Sequence, residues 1–125
     1  MSDTRPGILI AEDDEEIRNL LTLVFELENF SVYEAEDGQA ALDLFSEHTE
    51  AIQVVVTDLG LPVVGGIDLI ESIRHISPTV KIIGASGFGH DNIRSKVLAS
   101  GGDAFLAKPF VTAELLALAK KLIGI

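Results

Sequence analysis

Two kinds of hydrophobic pattern alternate along the chain, and together they predict alternating strands and helices. The first kind is a short run of apolar, often β-branched residues, which is typical of a buried strand. Such runs occupy residues 8–10, 31–33, 52–57, 80–83 and 104–106. Residues 54–56 and 82–83 are apolar without alternation, which indicates strands covered on both faces, as in a parallel sheet.

The second kind of pattern is a longer segment with apolar residues at helical spacing, which predicts an amphipathic helix. One such segment follows each predicted strand. The predicted buried faces are Ile17, Leu20, Leu21, Val24 and Phe25; Ala41, Leu44 and Phe45; Leu69, Ile70, Ile73 and Ile76; Ile93, Val97 and Leu98; and Leu115, Leu118, Ala119 and Leu122.

Pairs of residues that contain glycine support these boundaries. Asp37-Gly38 is expected to open the second helix, Gly65-Gly66 the third, and Gly101-Gly102 to end the fourth in a left-handed cap. The strand and helix pattern then repeats five times, which predicts a doubly wound α/β fold with helices on both faces of a parallel sheet.

Composition narrows the class of protein. The 125 residues carry 9 basic against 20 acidic side chains, a net charge of −11, and no cysteine. One domain over residues 1–125, with no output domain, is expected. Excess acid disfavours direct nucleic-acid binding. No apolar run is long enough to span a membrane, and no secretory signal pattern opens the chain. We expect a cytoplasmic protein whose partners are proteins or cations.

Polar residues follow four of the predicted strands directly. Glu12 and Asp13 follow the first strand, Asp58 the third, Ser86 the fourth and Lys108 the fifth. Ligands of open α/β sheets bind outside the carboxyl ends of the strands, so these side chains are expected to meet there. Taken singly, each has an ordinary explanation as a turn residue, a cap or an exposed charge; their shared placement favours function.

Charge repulsion limits what this cluster can do. Two carboxylates about 4 Å apart repel by roughly 4 kcal/mol at an effective dielectric constant of about 20, so a cation is expected between them. Mg²⁺ suits ligands that are all oxygen, and Asp13, Asp58 and a backbone carbonyl are the expected ligands. A carboxylate so placed could attack phosphorus, with Lys108 offsetting charge and Ser86 donating a hydrogen bond.

Four segments carry a family resemblance: ILIAEDDEEIR from residue 8, VVVTDLGLPVVGGIDLIESIR from residue 54, IIGASG from residue 82 and FLAKPF from residue 105. With these segments the chain resembles, over essentially its whole length, the CheY-like receiver domain of two-component response regulators. The resemblance implies a flavodoxin-like (βα)5 fold with a five-stranded parallel sheet in the order 2-1-3-4-5.

The resemblance also implies residue roles at a magnesium site. Asp58 would be the phosphoacceptor, Asp13 and the Gly60 carbonyl would join it as direct Mg²⁺ ligands, and Glu12 would act through water.

Further roles concern the phosphoryl group and the response to it. Ser86 and Lys108 would contact the phosphoryl group, and Phe105 would be the switch aromatic that follows Ser86 inward. The Lys108-Pro109 peptide bond would be cis.

By the same resemblance, a sensor histidine kinase or phosphotransfer protein would donate the phosphoryl group. Phosphorylation would change affinity for an unknown downstream protein through the face formed by helix 4, strand 5 and helix 5. The chain would phosphorylate and dephosphorylate itself without turning over an external substrate, as a monomer or weak dimer.

Departures from the family pattern keep alternatives open. Glu12 stands where Asp is more usual, so the chain could be a receiver-like interaction domain that has lost phosphorylation. Less favoured is a Mg²⁺-dependent aspartyl phosphohydrolase like the haloacid dehalogenases, because their second Asp corresponds to Gly60. Gly65 replaces a common Asp without expected effect. Since neither Gly60 nor Phe88 can orient water, slow hydrolysis of the phosphorylated form is hypothesised.

Overall fold

The computed structural model describes residues 4–87 and 91–125, and within them five strands alternate with five helices. The elements are β1 Gly7–Ala11, α1 Glu15–Leu27, β2 Ser31–Ala35, α2 Gly38–Glu47, β3 Ile52–Asp58, α3 Gly66–Ile76, β4 Lys81–Ser86, α4 Asp91–Ala99, β5 Ala104–Ala107 and α5 Thr112–Ile123. All neighbouring strands are parallel in the order β2-β1-β3-β4-β5. The predicted fold class and strand order are confirmed.

Two apolar layers cover the two faces of the sheet. On one face, Leu9 and Val55 pack with residues of α2, α3 and α4; on the other, Ile8 and Val54 pack with residues of α1 and α5. The middle of β3 is almost completely buried, as its unbroken apolar run predicts. None of the described helices combines the length and hydrophobicity needed to cross a membrane.

The predicted helix boundaries are confirmed at three places. Asp37 caps α2 by accepting a hydrogen bond from the Ala40 amide at 2.8 Å. Helix α3 begins at Gly66, and Gly101 beyond the end of α4 has a left-handed φ of 111°. A Cβ on Gly66 would lie 2.5 Å from the Leu59 Cα atom, so only glycine lets α3 start directly against the end of β3.

The predicted buried faces of the helices are too wide. Ile17 and Leu20 on α1 are 36% and 51% exposed, whereas Leu21 and Phe25 are buried. The same correction applies to Ile76 on α3 and Leu98 on α4, which are 42% and 49% exposed. A helix lying on a sheet buries only the stripe that faces the sheet, so apolar residues at the stripe's margin reach the surface.

Arg74 ties together the connections at the amino end of β4 and β5. Its guanidinium donates hydrogen bonds to the carbonyls of Gly101 at 2.9 Å and Val80 at 2.7 Å, and to the Asp103 carboxylate at 2.7 Å. Asp103 in turn accepts from the Ile82 amide at 2.8 Å. The end of α3 is thereby fixed to the loop before β4 and to the loop between α4 and β5.

Replacing Arg74 with Met is expected to lower the free energy of unfolding by about 2 kcal/mol, because several charge-assisted hydrogen bonds are lost together. Asp103→Asn should cost less, since its amide oxygen can still accept from the Ile82 amide. Urea unfolding of the two variants beside the wild type measures both effects. A loss below about 0.5 kcal/mol for Arg74→Met, the size of an ordinary surface substitution, would contradict this role.

Candidate functional site

The strand order brings the predicted polar residues to one end of the sheet. β1 and β3 are neighbours, with Ala11 opposite Thr57, so the residues that follow them lie side by side. Asp58 ends β3 and lies opposite Ala85, next to Ser86 on β4. The sequence prediction that these residues share the carboxyl edge of the sheet is confirmed.

Three carboxylates form the centre of this edge. Glu12, Asp13 and Asp58 each place one carboxylate oxygen so that all three oxygens lie within 4.8 Å of one another. Glu12 is buried, Asp58 is half-buried and Asp13 is exposed, so the cluster opens to solvent on the Asp13 side. The ligand atoms are all hard oxygens, which fits Mg²⁺ and disfavours metals that prefer sulfur or imidazole.

Lys108 supplies the positive charge beside these carboxylates. Its ammonium lies 2.7 Å from Glu12 Oε1 and 3.6 Å from Asp58 Oδ1. The second oxygen of Glu12 accepts a hydrogen bond from the Asp14 amide at 3.1 Å. Lys108 is therefore hydrogen-bonded to Glu12 and lies within reach of Asp58. The sequence did not predict that Glu12 would be its nearer partner.

The pKa values of Glu12 and Lys108 reflect this pairing. Burial raises the pKa of the Glu12 carboxyl above its ordinary value, although the hydrogen bonds from Lys108 and the Asp14 amide act against the rise. Burial acts to lower the pKa of Lys108, but the hydrogen bond to Glu12 and the negative charges of Asp58 and Glu12 raise it overall. Burial therefore disfavours the charged form of Glu12, and the interaction with Lys108 offsets only part of this effect.

Arg18 is a residue that the sequence prediction missed. From the first half of α1, it donates a hydrogen bond to the Glu12 carbonyl at 2.8 Å, and its Nε lies 3.8 Å from Glu34 of β2. The side chain is only 14% exposed. It therefore fixes the backbone between Glu12 and Asp13 from the side. A lone cation six residues after Glu12 in an acidic segment is the signal that could have revealed it.

The remaining predicted residues surround this centre. Ser86 is buried, and its carbonyl accepts a hydrogen bond from the Lys108 amide at 2.8 Å. Gly60 is exposed, and a Cβ placed on it would lie 3.9 Å from Asp58 Oδ2. Phe105 is buried on β5. Phe88, predicted to influence hydrolysis, lies outside the described residues. The Lys108-Pro109 bond is cis, as predicted.

The family model of the response regulator receiver domain matches residues 8–120, nearly the whole chain. The chain belongs to this family. The structural likeness agrees, because the receiver domain of the Francisella response regulator 1452 superposes with a TM-score of 0.87 at 30% identity, covering 95% of this chain and 97% of that one. CheY in a Borrelia burgdorferi complex with CheX, BeF₃⁻ and Mg²⁺ gives a TM-score of 0.89 at 25% identity, covering 96% and 90%.

Curated relatives are longer than this receiver domain. The alkaline phosphatase synthesis transcriptional regulatory protein SphR of Synechococcus elongatus is 37% identical over 93% of this chain and 48% of its own length. The transcriptional regulatory protein CpxR of Escherichia coli K12 is 36% identical over 88% of this chain and 46% of its own length. The chain thus spans about half the length of these relatives.

The raised pKa of Glu12 makes the stability of the receiver domain depend on pH. Since the folded protein holds the Glu12 proton more tightly than the unfolded chain, the contribution of Glu12 to stability is greatest below the ordinary Glu pKa of about 4.3 and falls as pH rises through the folded value. The stability of the wild type relative to Glu12→Gln should therefore increase as pH falls from about 7 to the ordinary Glu pKa of about 4.3. Urea midpoints of the two proteins across this range test it; a difference that is flat or reversed would contradict it.

Proposed function

We propose that this receiver domain is a phosphorylation-dependent signalling switch in which Asp58 accepts the phosphoryl group and Mg²⁺ is the cofactor. The observation that carries the proposal is the meeting of the carboxylates of Glu12, Asp13 and Asp58 with the Lys108 ammonium at one edge of the sheet. Three carboxylates and one ammonium leave a charge of −3 + 1 = −2, which a divalent cation balances.

The proposed reaction is transfer of a phosphoryl group to a carboxylate. An Asp58 oxygen forms a bond to phosphorus while the bond between phosphorus and the donor breaks, and the bonding electrons leave with the donor. When bound by Asp13, Asp58 and the Gly60 carbonyl, Mg²⁺ offsets negative charge on the phosphoryl oxygens.

The protein residues complete this arrangement. Lys108 is already 3.6 Å from Asp58, and we propose that its ammonium turns from Glu12 toward the phosphoryl oxygens as the bond forms. Ser86 donates a hydrogen bond to another of these oxygens. Glu12 holds the metal through water. No external substrate is turned over, because the phosphoryl group remains on the protein until it is hydrolysed.

The proposed partners lie on either side of this reaction. A sensor histidine kinase or phosphotransfer protein donates the phosphoryl group in the cytoplasm. A downstream protein target binds the face formed by α4, β5 and α5; Lys108 directly follows β5, and the neighbouring strand β4 ends at Ser86. Phosphorylation shifts the population of the binding conformation at this face. Because the domain carries a net charge of −11, we do not propose that it contacts nucleic acid itself.

Incubation with acetyl phosphate and Mg²⁺ should add one phosphoryl group to the intact protein, as measured by mass spectrometry. The adduct should be absent from Asp58→Asn and from a sample treated with a chelator, because acceptor and metal are both required. Asp103→Asn, a carboxylate change at the opposite edge of the sheet, should leave the adduct intact. If the wild type stays unmodified, either the domain accepts a phosphoryl group only from its own kinase or it is a binding module that has lost phosphorylation.

The residue at position 60 is expected to affect the lifetime of the phosphorylated form. The exposed Gly60 has room for a side chain beside Asp58, and Asn there could orient the water that hydrolyses the acyl phosphate. Gly60→Asn should therefore lose its phosphoryl group at least a few-fold faster than the wild type. Gly60→Ala controls for the loss of glycine without adding a polar group. If the wild type decays as fast as Gly60→Asn, glycine is not the cause of slow hydrolysis.

A further inference from the structure

An arginine of α4 covers the aromatic residue of β5. The guanidinium carbon of Arg94 lies 5.4 Å from the centre of the Phe105 ring. Arg94 is exposed, whereas Phe105 is only 8% exposed. A cation at this distance over a ring face is attracted by the negative charge density of the π system. The contact therefore joins a solvent-facing charge to a ring inside the core.

The ring is buried between α4 and the sheet. Phe105 belongs to the same core layer as Val97 of α4, and Ile93 packs against that layer. On the neighbouring strand, Phe105 is opposite Gly84, which contributes no side chain. A Cβ there would lie 3.0 Å from a Val97 methyl group, so α4 approaches β4 closely at this level. With apolar neighbours inside and Arg94 outside, the ring is held from both directions.

Phe105 also lies on the strand pair that leads to the phosphorylation site. It precedes Lys108 by three residues, and Gly84 opposite it precedes Ser86 by two. The Lys108 amide and the Ser86 carbonyl are hydrogen-bonded at 2.8 Å, so the ends of these two strands are fixed to each other. A change in the position of the Phe105 ring can thus reach Ser86 and Lys108 through one connected pair of strands.

We propose that Arg94 is a positioning residue of the switch, whose cation holds the Phe105 ring in its buried orientation. This inference rests on the proposed function and on the role of switch aromatic that the family resemblance implies for Phe105. Among the described contacts, Arg94 touches neither Asp58 nor its carboxylate neighbours, so it acts on the ring and not directly on the phosphorylation site. Arg94 therefore biases the domain toward the conformation that phosphorylation favours.

Linkage gives this bias a measurable consequence. If the buried ring and the occupied site stabilise the same conformation, a residue that favours the ring's burial must also strengthen binding at the site. A contact that merely stabilised the fold would leave that binding unchanged. The affinity of the Asp58 site for a phosphoryl mimic therefore distinguishes the positioning role from a role in fold stability alone.

The test uses the whole domain with Mg²⁺ and beryllofluoride, which mimics a phosphoryl group on aspartate. Arg94→Met keeps the long side chain without its charge, and Lys96→Met removes an exposed charge from the same helix as a matched control. Beryllofluoride affinity is measured by NMR titration, and ring burial by fluorine NMR of fluorophenylalanine at position 105. Arg94→Met should weaken beryllofluoride binding by about two- to fivefold, within the range of a cation–π contact. It should also expose the ring, whereas Lys96→Met does neither.

A double-mutant cycle separates this role from a general effect of charge. In a Phe105→Leu background, Arg94→Met should have no further effect on beryllofluoride affinity. Equal weakening with and without the ring, or an unchanged affinity in Arg94→Met, would overturn the proposal while leaving the phosphorylation site intact. If the wild type binds no beryllofluoride, the proposed function fails, and the fluorine signal alone decides whether Arg94 holds the ring.

Discussion

The repulsion among three carboxylates at the carboxyl edge of the sheet is the constraint on which the rest of the described structure depends. Glu12, Asp13 and Asp58 are brought within 4.8 Å of one another because β1 and β3 are parallel neighbours. At an effective dielectric constant of about 20, each such pair repels by roughly 3 kcal/mol or more. Lys108 offsets only part of this charge. The carboxyl edge is therefore electrostatically unfavourable without a cation and favours the binding of a divalent cation. This preference is the electrostatic basis of the proposed chemistry.

The contacts at the two edges of the sheet differ in kind. At the amino edge, Arg74 and Asp103 join the loops before β4 and β5 through short hydrogen bonds, so the connections there are fixed. At the carboxyl edge, the backbone is fixed while the charged side chains share partners. Arg18 secures the peptide after Glu12, and the Gly66 turn holds α3 against the end of β3. With a fixed backbone and exchangeable side-chain contacts, the charge added at Asp58 in the proposed function would change side-chain partners without local unfolding.

Much of the fold and site could be predicted from the sequence, and the remainder has identifiable physical reasons. The unbroken apolar run of β3 identified a covered parallel strand, and residues placed directly after strands identified Asp58 and Lys108. The exposed margin at Ile17 and Leu20 could not be predicted, because periodicity gives the direction of a helix face but not how wide a surface lies opposite it. The contact of Lys108 with Glu12, 96 residues away, depends on side-chain reach, which no local pattern contains.

The length of the Glu12 side chain, at a position where the family resemblance implied Asp as the usual residue, decides which carboxylate pairs with Lys108. With one more methylene, the Glu12 carboxylate meets the Lys108 ammonium at 2.7 Å, closer than Asp58 does at 3.6 Å. Lys108 is thus paired with Glu12 and not with Asp58, the proposed acceptor, and its ammonium stays within reach of both carboxylates. In the proposed function, a phosphoryl group on Asp58 would add negative charge beside the more distant of these two carboxylates, which would draw the ammonium away from Glu12. Because the Lys108 amide is hydrogen-bonded to the Ser86 carbonyl, the proposed exchange would act on the ends of β4 and β5. If Asp58 is phosphorylated as proposed, exchange of Lys108 from Glu12 to the phosphoryl group is the contact change that would transmit the signal.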